Sequence, residues 1–313
     1  MNSAKPLLSV TLATYNEADN IARCLKSVEK IADEIVIVDG QSSDQTVEIA
    51  RQFNAKVVTR PNQANFHINK QAANDLAQGK WILQLDADEV VSPDLAHEIA
   101  QVIRMSDQEL DKRKLPTDKQ RLFARHQQLV QKRDGQIGQQ TGPIVAFFIP
   151  RSNWFLTRFL RHTGAYPDGV IRLFRKDKAF LPAADVHEQY QVNGRVSWLQ
   201  HDLWHYDSPT FERYLMRNNR YSSMIARQLE KQGVTASYWH HVKYFLLKPA
   251  AVFASLYFRH KGFRDGLPGL IFSYYSALTW TAAYIKLYEQ QSPASKQLDQ
   301  AVSDIIKQAE SQD

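Results

Sequence analysis

Short apolar runs alternate with helically periodic segments along the first 85 residues. Residues 7–13 and 34–38 are rich in β-branched side chains, a pattern typical of strands buried on both faces. Residues 17–30 place apolar side chains at helical spacing, with Asn16 as the expected N-cap. The alternation continues with a helix at 45–54 capped by Asp44, a strand at 56–59, a helix at 69–78 and a strand at 81–85. Such repetition predicts a doubly wound α/β fold with a mainly parallel sheet.

Beyond residue 106 the pattern changes. Residues 107–142 are charged, rich in Gln and poor in β-branched residues, which predicts an exposed helical insertion or a mobile lid. We assign this segment no site, because a run of charges is more often a solvated helix face than a binding surface. The expected divisions are 1–106 and 143–238 for the two halves of the α/β domain, 107–142 for the insertion and 239–313 for a C-terminal helical region.

The C-terminal region combines aromatic and basic residues. Residues 244–258 and 266–285 are apolar and aromatic, and the turn between them carries Arg259, Lys261 and Arg264. The second stretch has no charged residue, but its Pro, Ser, Thr and aromatic residues suit the hydrocarbon centre of a bilayer poorly. We therefore expect amphipathic helices at the membrane interface, where the cations meet anionic lipid headgroups. A helical pair buried in a soluble core is the alternative.

Charge and cysteine content narrow the class of partner. The formal net charge is +6 and the pI is about 9.2, which favours a polyanionic partner such as a nucleotide, an anionic lipid or a nucleic acid. No helix-turn-helix, zinc-finger or RNP-like motif is present, so we expect no nucleic-acid partner. The single cysteine, Cys24, lies in a helical pattern and is expected in the core. Because the first residues lack a signal-peptide pattern, we expect a cytoplasmic location.

Two carboxylates follow the predicted strand at 81–85. Asp86 and Asp88 are expected on a tight turn at the mouth of the sheet, where like charges repel unless a cation lies between them. Mg²⁺ or Mn²⁺ would relieve this repulsion, and such ions complete their coordination shells with substrate phosphates and water. A strand followed by Asp-x-Asp therefore predicts a divalent metal ion and a diphosphate substrate.

Polar turns also follow the first two strands, at the sheet edge where doubly wound folds bind ligands. After the first strand, Thr14 can bond a ribose or base edge, the Tyr15 ring can stack on a nucleobase, and Glu17 follows them. After the second strand, Asp39 is placed to accept a hydrogen bond from a base N–H, and Asp44 adds a carboxylate. Helix capping is the competing role for Asp44. Together these turns predict a nucleotide site.

These motifs resemble the signature of glycosyltransferase family 2, in the family's order: ATYNE, then IVDGQSSDQT, then LQLDADE, within residues 7–95. Farther on, FIPRSN, YPDGVIRLFRK, VHE and LWHY resemble segments of bacterial members that extend lipopolysaccharide cores or related cell-envelope glycans. The resemblance implies a GT-A fold, an inverting reaction, a nucleotide-sugar donor that we expect to be a UDP-hexose, and a glycan or glycolipid acceptor.

The resemblance also suggests roles for single residues. Glu188 matches the family's downstream acidic residue and is the candidate base that deprotonates the acceptor hydroxyl, with Asp185 as its rival. His205 resembles the histidine that completes the metal shell beside the two aspartates in many GT-A enzymes, and His201 competes for that role. Arg172, in a strand pattern that exposes one basic face, is a candidate for holding a phosphate or an anionic acceptor. Surface salt bridging is the competing role for Arg172.

We therefore expect a metal-dependent glycosyltransferase that lies peripherally or monotopically on the inner face of the cytoplasmic membrane. The alternatives are a catalytically silent nucleotide- or glycan-binding module and a nucleotidyltransferase. The joint presence of Asp86, Asp88 and Glu188 argues against the silent module. A nucleotidyltransferase usually carries a glycine-rich basic loop after its first strand, and ATYNEADN has neither feature. Residues 107–142 are longer than the family's usual link, so analogy alone does not fix the acceptor.

Overall fold

The computed structural model describes residues 5–63, 65–182, 189–292 and residue 297. The chain divides into two compact units: Met1–Trp154 with Ala165–Asp207, and Phe155–Gly164 with Ser208–Asp313. These boundaries differ from the expected divisions at 106, 142 and 238, because the strands after residue 165 return to the sheet that the first residues begin.

The strands, in chain order, are β1 (Leu8–Thr14), β2 (Glu34–Asp39), β3 (Lys56–Thr59), β4 (Trp81–Leu85), β5 (Glu89–Val91), β6 (Ile144–Ile149), β7 (Arg151–Phe155), β8 (Arg158–Phe159), β9 (Val170–Arg175), β10 (Ala179–Phe180), β11 (Gln191–Val192), β12 (Arg195–Trp198) and β13 (Leu203–Ser208). The helices of the first unit are α1 (Ala18–Val28), α2 (Thr46–Gln52), α3 (His67–Leu76), α4 (Pro93–Val102), α5 (Asp107–Lys112) and α6 (Thr117–Asp134).

A seven-stranded sheet in the order β12-β6-β9-β4-β1-β2-β3 forms the centre of the first unit. Its strands run parallel except β9, which is antiparallel to both β4 and β6. The predicted doubly wound, mainly parallel sheet is confirmed. Thr14 lies opposite Asp39, and Leu12 lies opposite Leu85, so β1, β2 and β4 end at one edge. Cys24 is buried in the core beside this sheet, as expected.

The beginning of helix α1 differs from the prediction. The helix starts after Glu17, whereas Asn16 lies outside it with a φ of 53° and accepts a hydrogen bond from the backbone N–H of Ser43 at 2.8 Å. The expected N-cap role of Asn16 is therefore wrong, because this residue takes the left-handed conformation that Asn tolerates and bridges two loops. Asp44 does bond the first turn of α2, since its Oδ1 accepts from the backbone N–H of Thr46 at 3.0 Å.

The charged segment after residue 106 forms helices α5 and α6, as its composition predicts. Helix α6 is not a free arm, however, because Phe123 and Val130 are buried in the second core cluster of the sheet. The Phe123 ring stacks on the Trp198 indole with ring centroids 4.4 Å apart. Most of α6 is exposed, in keeping with the expected exposed helical insertion, and its two buried side chains attach it to one face of the sheet.

The second unit is largely helical, with α7 (Phe211–Lys231), α8 (Tyr238–Val242), α9 (Lys248–Ala254) and α10 (Gly266–Gln291) joined by π-helical turns at Lys243–Leu247 and Ser255–Arg259 and a 3-10 turn at Gly262–Asp265. Helices α7 and α10 pack together through a small core and through a hydrogen bond of 2.8 Å from Thr279 Oγ1 to Asn218 Oδ1. Among the described residues, no helix combines the length and the apolar character needed to cross a bilayer.

Within the second unit, hydrogen bonds to Asp265 connect the segment Phe155–Gly164 to the start of α10. Its carboxylate is fully buried and accepts hydrogen bonds from the backbone N–H of His162 at 2.8 Å and from His162 Nδ1 at 3.0 Å. Four residues on, Gly269 touches the Gly262 carbonyl so closely that any Cβ would collide with it. The sequence thus fixes this corner with one buried acid and one obligatory glycine.

We predict that Phe123→Ala destabilises the first unit by about 3–5 kcal/mol, because the substitution leaves a cavity beneath the stacked Trp198 indole. The measurement is urea unfolding followed by tryptophan fluorescence. The matched control is Leu129→Ala on the same helix, where the leucine is 59% exposed and the expected change is below about 0.5 kcal/mol. Equal, small losses in both variants would mean that α6 does not pack on the sheet.

Candidate active site

The ends of β1 and β2 place Thr14 and Asp39 side by side. Asp39 is buried, and its Oδ1 accepts hydrogen bonds from Thr14 Oγ1 at 2.9 Å and from Ser42 Oγ at 2.6 Å. Its Oδ2 accepts from the backbone N–H of Ser42 at 2.8 Å. Tyr15, the next residue after β1, is 48% exposed. The carboxylate is therefore held rigidly at the sheet edge, with an accessible aromatic ring beside it.

Glu17 and Asp44 accept hydrogen bonds at the starts of helices α1 and α2. Asp44 accepts from the backbone N–H groups of Ala18 and Thr46, each at 3.0 Å, and Glu17 accepts from Asn20 Nδ2 at 2.7 Å. Burial alone would raise the pKa of Asp44, but hydrogen bonds from Thr46 and Ala18 outweigh burial and lower the pKa. These contacts favour the capping role that competed with donor binding for Asp44.

Asp86, directly after β4, meets two cationic side chains. Its Oδ1 lies 2.5 Å from Lys70 Nζ on α3, and its Oδ2 lies 2.5 Å from Arg172 Nη2 on β9. Burial would raise the pKa of Asp86, but Arg172 and Lys70 outweigh burial and hold the pKa well below its usual range. The carboxylate therefore stays ionised although its side chain is only 27% exposed.

A second carboxylate, Glu89, completes this charge cluster. Glu89 is fully buried, and its Oε1 accepts from Arg172 at 2.8 Å and from Arg151 at 3.3 Å, while its Oε2 accepts from the backbone N–H of Asp86 at 2.9 Å. Arg151 also donates to Asp168 Oδ2 at 2.7 Å. Burial would raise the pKa of Asp168, but the Arg151 guanidinium outweighs burial and lowers the pKa.

Sequence reasoning missed several residues of this cluster: Lys70, Glu89, Arg151, Asn153 and Asp168. Four of them stand inside motifs that resemble the family, namely LQLDADE, FIPRSN and YPDGVIRLFRK. Their place inside these motifs was the only feature of the sequence that could have indicated them, because their partners lie far away in the chain. Lys70 carried no signal of its own beyond a helical pattern.

His205 and Asp88 are brought together by the pairing of β13 with β5. His205 lies opposite Glu89 in this antiparallel ladder, and the backbone N–H of Tyr206 donates to the Asp88 carbonyl at 2.9 Å. As a result, His205 Nε2 lies 3.6 Å from Asp88 Oδ1. The other ring nitrogen, Nδ1, lies 2.7 Å from Asn153 Oδ1.

His201, the rival of His205, takes a different partner. Its Nδ1 lies 3.1 Å from Glu98 Oε2, and Glu98 also accepts hydrogen bonds from the backbone N–H of His201 and from Arg113. The structure therefore places His205, rather than His201, beside Asp88.

Arg172 differs from its predicted environment. The strand pattern suggested an exposed basic face, but Arg172 is 6% exposed and donates to Asp86, Glu89 and Gln84. Strand β9 lies inside the sheet, between β4 and β6, and is covered on both faces. The exposed-face expectation was therefore wrong for this residue, whereas Arg175 at the strand end is partly exposed and pairs with Asp107.

The chemistry of the pair formed by Asp88 and His205 fits a divalent cation. A carboxylate oxygen and an imidazole nitrogen are both acceptable Mn²⁺ ligands, and two ligands each about 2.1 Å from one ion lie roughly 3–4 Å apart. In the part of the chain that the structure describes, no three His, Cys, Asp or Glu side chains are grouped so as to hold a metal ion. Two protein ligands nevertheless suffice where substrate phosphates complete the shell.

The candidate base Glu188 and its rival Asp185 lie outside the described residues. The role of Glu188 as the base therefore stays a prediction.

The parallel sheet, the polar turns at its edge and the acidic turn after β4 define a glycosyltransferase of the GT-A fold. The model of glycosyl transferase family 2 matches residues 9–164. The chain belongs to this family, as its motifs predicted.

Similar proteins match most of the chain. An uncharacterised glycosyltransferase of Rickettsia felis is 28% identical over 275 residues, which are 85% of this chain and 86% of that protein. The lipopolysaccharide core biosynthesis glycosyltransferase LpsC of Rhizobium meliloti is 23% identical over 309 residues, 95% of this chain and 97% of that protein. The structure of the mannosyltransferase PcManGT from Pyrobaculum calidifontis in complex with GDP-Man and Mn²⁺ covers 93% of this chain and 89% of its own, at 15% identity. The TM-score of this match is 0.46.

We predict that Arg172→Met destabilises the protein by about 3–5 kcal/mol, because the substitution takes a cation from the fully buried Glu89 and from the partly buried Asp86. Denaturant unfolding measures the loss. The matched control is Arg175→Met on the same strand, whose partner Asp107 has a side chain 54% exposed and whose loss should stay near or below about 1 kcal/mol. Similar stabilities for the two variants would contradict the buried charge cluster.

Proposed function

We propose that the chain is an inverting glycosyltransferase that moves a hexose from a UDP-sugar to a cell-envelope glycan or lipid-linked acceptor with the help of a divalent cation. The observation that carries the proposal is the arrangement of Asp88 and His205 beside the partly buried Asp86. All three are near the sheet edge where β1 and β2 present Thr14 and Asp39. A nucleotide at the strand ends would thus have its diphosphate near the cation site.

The nucleoside would bind at the ends of β1 and β2. Both oxygens of Asp39 already accept protein hydrogen bonds, but a carboxylate has about four lone-pair sites, so it retains room for a base N–H. The half-exposed Tyr15 ring offers a stacking surface for the base. Thr14 keeps the Asp39 carboxylate in place by its hydrogen bond. Glu17 and Asp44 accept hydrogen bonds at the starts of helices α1 and α2 and so hold the two turns against which the nucleoside would lie.

The metal-binding part of the proposal rests on Asp88 and His205. When bound, Mn²⁺ or Mg²⁺ would supply Lewis acidity that neutralises the departing diphosphate. Each Asp86 oxygen already meets one cation, Lys70 Nζ at Oδ1 and Arg172 Nη2 at Oδ2. Its remaining lone pairs could still join the metal shell, and both cations would then lie near the phosphate oxygens.

The net charge of the cluster supports an anionic substrate with a cation. Three cationic side chains face four carboxylates, which leaves one negative charge with His205 neutral: Lys70, Arg151 and Arg172 against Asp86, Asp88, Glu89 and Asp168. A divalent cation would make the net charge positive by one unit. A diphosphate is attracted to such a field, whereas the cluster alone repels it.

Glu188 is the proposed base, on the strength of its VHE motif. Glu188 takes the proton from the acceptor hydroxyl, and that oxygen attacks the anomeric carbon from the face opposite the diphosphate. A new glycosidic bond forms as the bond from carbon to the diphosphate oxygen breaks, so the configuration inverts. The electron pair of the broken bond leaves with the nucleoside diphosphate.

The acceptor is proposed as a lipopolysaccharide core saccharide or a related envelope glycan. Support comes from the length over which the chain matches LpsC, a glycosyltransferase of lipopolysaccharide core biosynthesis. The FIPRSN and YPDG segments, which resemble bacterial members of this kind, supply Arg151, Asn153 and Asp168 to the site.

We predict that UDP binds in the presence of Mn²⁺ and at least ten-fold more weakly without it, because the cation offsets the negative cluster. Calorimetry measures the affinity. Asp88→Asn should abolish the Mn²⁺ dependence, while the control Asp94→Asn, at an exposed aspartate on α4, should bind as the wild type does. Equal UDP binding with and without Mn²⁺ would refute the metal role, and tighter binding of GDP than UDP would refute the UDP donor.

The catalytic role of Glu188 needs a separate measurement. Glu188→Gln should lose at least 100-fold in sugar transfer or donor hydrolysis, the usual contribution of a general base, while Mn²⁺-assisted UDP binding stays within about two-fold. Wild-type protein that binds Mn²⁺·UDP but cleaves none of a panel of UDP-hexoses would instead support the silent binding module.

A membrane location is supported by two stripes of exposed apolar residues in the second unit. One stripe follows the helical run around α9 at a spacing of four residues: Leu246, Ala250, Ala254 and Phe258. The other follows the start of α10: Phe263, Leu267, Leu270 and Tyr274. The Tyr257 ring contacts both Phe258 and Phe263, so the stripes meet at that residue. Exposed apolar surface of this kind marks an interaction site.

Charge favours an anionic bilayer as the partner of these stripes. Arg259, Lys261 and Arg264 are exposed at the turn between them. From residue 238 to residue 288 the sole acidic residue is Asp265, which is fully buried against His162. Anionic headgroups would therefore meet these cations with no exposed acidic side chain in the same stretch of sequence. The aromatic rings of the stripes would lie at the depth of the headgroups, where aromatic side chains are favoured.

We predict that the protein floats with vesicles containing phosphatidylglycerol and much less with pure phosphatidylcholine. The double variant Phe258→Ser/Leu267→Ser should bind the anionic vesicles at least about ten-fold more weakly, because it loses two apolar side chains that would be buried in the bilayer. The control is Leu129→Ser, at an exposed leucine outside this region. Unchanged flotation of the double variant would contradict the proposal, as would sedimentation showing that the stripes bury a dimer interface.

A further inference from the structure

Asn153 lies between the Asp168 carboxylate and the His205 imidazole. Its Nδ2 donates to Asp168 Oδ2 at 3.0 Å, and its Oδ1 lies 2.7 Å from His205 Nδ1. Asp168 is held by Arg151, whose Nη2 donates to the same carboxylate oxygen at 2.7 Å. An ionised carboxylate only accepts hydrogen bonds, so the NH₂ group of Asn153 must face Asp168.

The orientation of the amide decides where the proton of His205 lies. Because the amide oxygen faces His205, Nδ1 must carry a hydrogen to donate to it. In neutral imidazole the other nitrogen then carries a lone pair, and that nitrogen, Nε2, lies 3.6 Å from Asp88 Oδ1. A lone pair facing a carboxylate oxygen is repulsive unless a cation lies between them.

We propose that Asp168 and Asn153 form a relay that fixes His205 in its Nδ1–H tautomer, so that Nε2 is presented with Asp88 to a divalent cation. The inference rests on the proposed function for the identity of the cation, but the tautomer follows from contacts within the protein. Asn153 and Asp168 are positioning residues, because they act on the cation only through His205. Hydrogen-bond partners of this kind orient metal-binding histidines and raise their basicity.

The chain positions the relay by strand pairing. Asn153 is in β7 and His205 is in β13, and these strands are neighbours in the four-stranded sheet. Asp168 precedes β9, and Arg151, two residues before Asn153 on β7, ties Asp168 to the buried Glu89. The relay is therefore anchored at its far end to the same charge cluster that holds Asp86.

The test uses Asn153→Leu, which keeps the approximate volume of the side chain but removes both hydrogen bonds, and Asp168→Asn as a second variant. The control is Ser152→Ala on the same strand, which removes a partly buried hydrogen bond of 2.9 Å to Asp202 that does not involve His205. Thermal unfolding checks that each variant is folded.

The first readout is the tautomer of His205 in metal-free protein, from long-range proton–nitrogen spectra of ¹⁵N-histidine-labelled protein, with His205→Gln to assign the signal. The wild type and Ser152→Ala should show Nδ1–H, whereas Asn153→Leu should show Nε2–H or a mixture. A wild-type signal from Nε2–H would overturn the relay.

The second readout is the Mn²⁺ affinity in the presence of UDP, from paramagnetic resonance of free Mn²⁺. Asn153→Leu should bind Mn²⁺ about 10- to 100-fold more weakly, Asp168→Asn should weaken binding in the same direction, and Ser152→Ala should change it less than two-fold. A changed tautomer with unchanged Mn²⁺ affinity would refute the link to the cation. Failure of the proposed function is distinct: the wild type would bind no Mn²⁺·UDP, while the tautomer spectrum would still decide the relay.

Discussion

The ion pairs that neutralise Asp86 and Glu89 are the constraint on which the site depends. A buried carboxylate without a partner costs several kcal/mol, so these two acids can be placed at the sheet edge only with cations beside them. Arg172 bonds both acids, and Lys70 and Arg151 each bond one. Because these residues come from α3, β7 and β9, the same contacts hold those elements around the acidic turn.

Much of the fold follows from local patterns in the sequence. The strand at Trp81–Leu85 agrees with its prediction at both ends, because an apolar run bounded by Lys80 and Asp86 leaves no other choice. The start of α1 was misplaced because a polar residue before a helix resembles a cap whether or not its backbone is left-handed, as it is at Asn16. Composition alone did not show how the segment 107–142 attaches to the sheet, since only four of its side chains are buried: Leu110, Phe123, Val130 and Ile137.

The site was less accessible to sequence reasoning than the sheet. Thr14, Asp39 and Asp86 follow strands directly, so parallel topology alone gathers them at one edge. The partner of Asp86 on β9 is 86 residues away, and only the antiparallel insertion of that strand brings it near. The choice between His205 and His201 likewise depended on the register of β13 against β5, which places His205 opposite Glu89.

The place of β9 between β4 and β6 has a consequence for biosynthesis. On the ribosome, Trp81–Leu85 is made long before Val170–Arg175 emerges, so a strand that is fully buried in the folded protein must wait with one edge unpaired. Edges of this kind recruit other chains and favour aggregation. Until Arg172 is made, the acidic turn that follows β4 lacks that cation, and charges at the end of an edge strand oppose pairing with a second such edge.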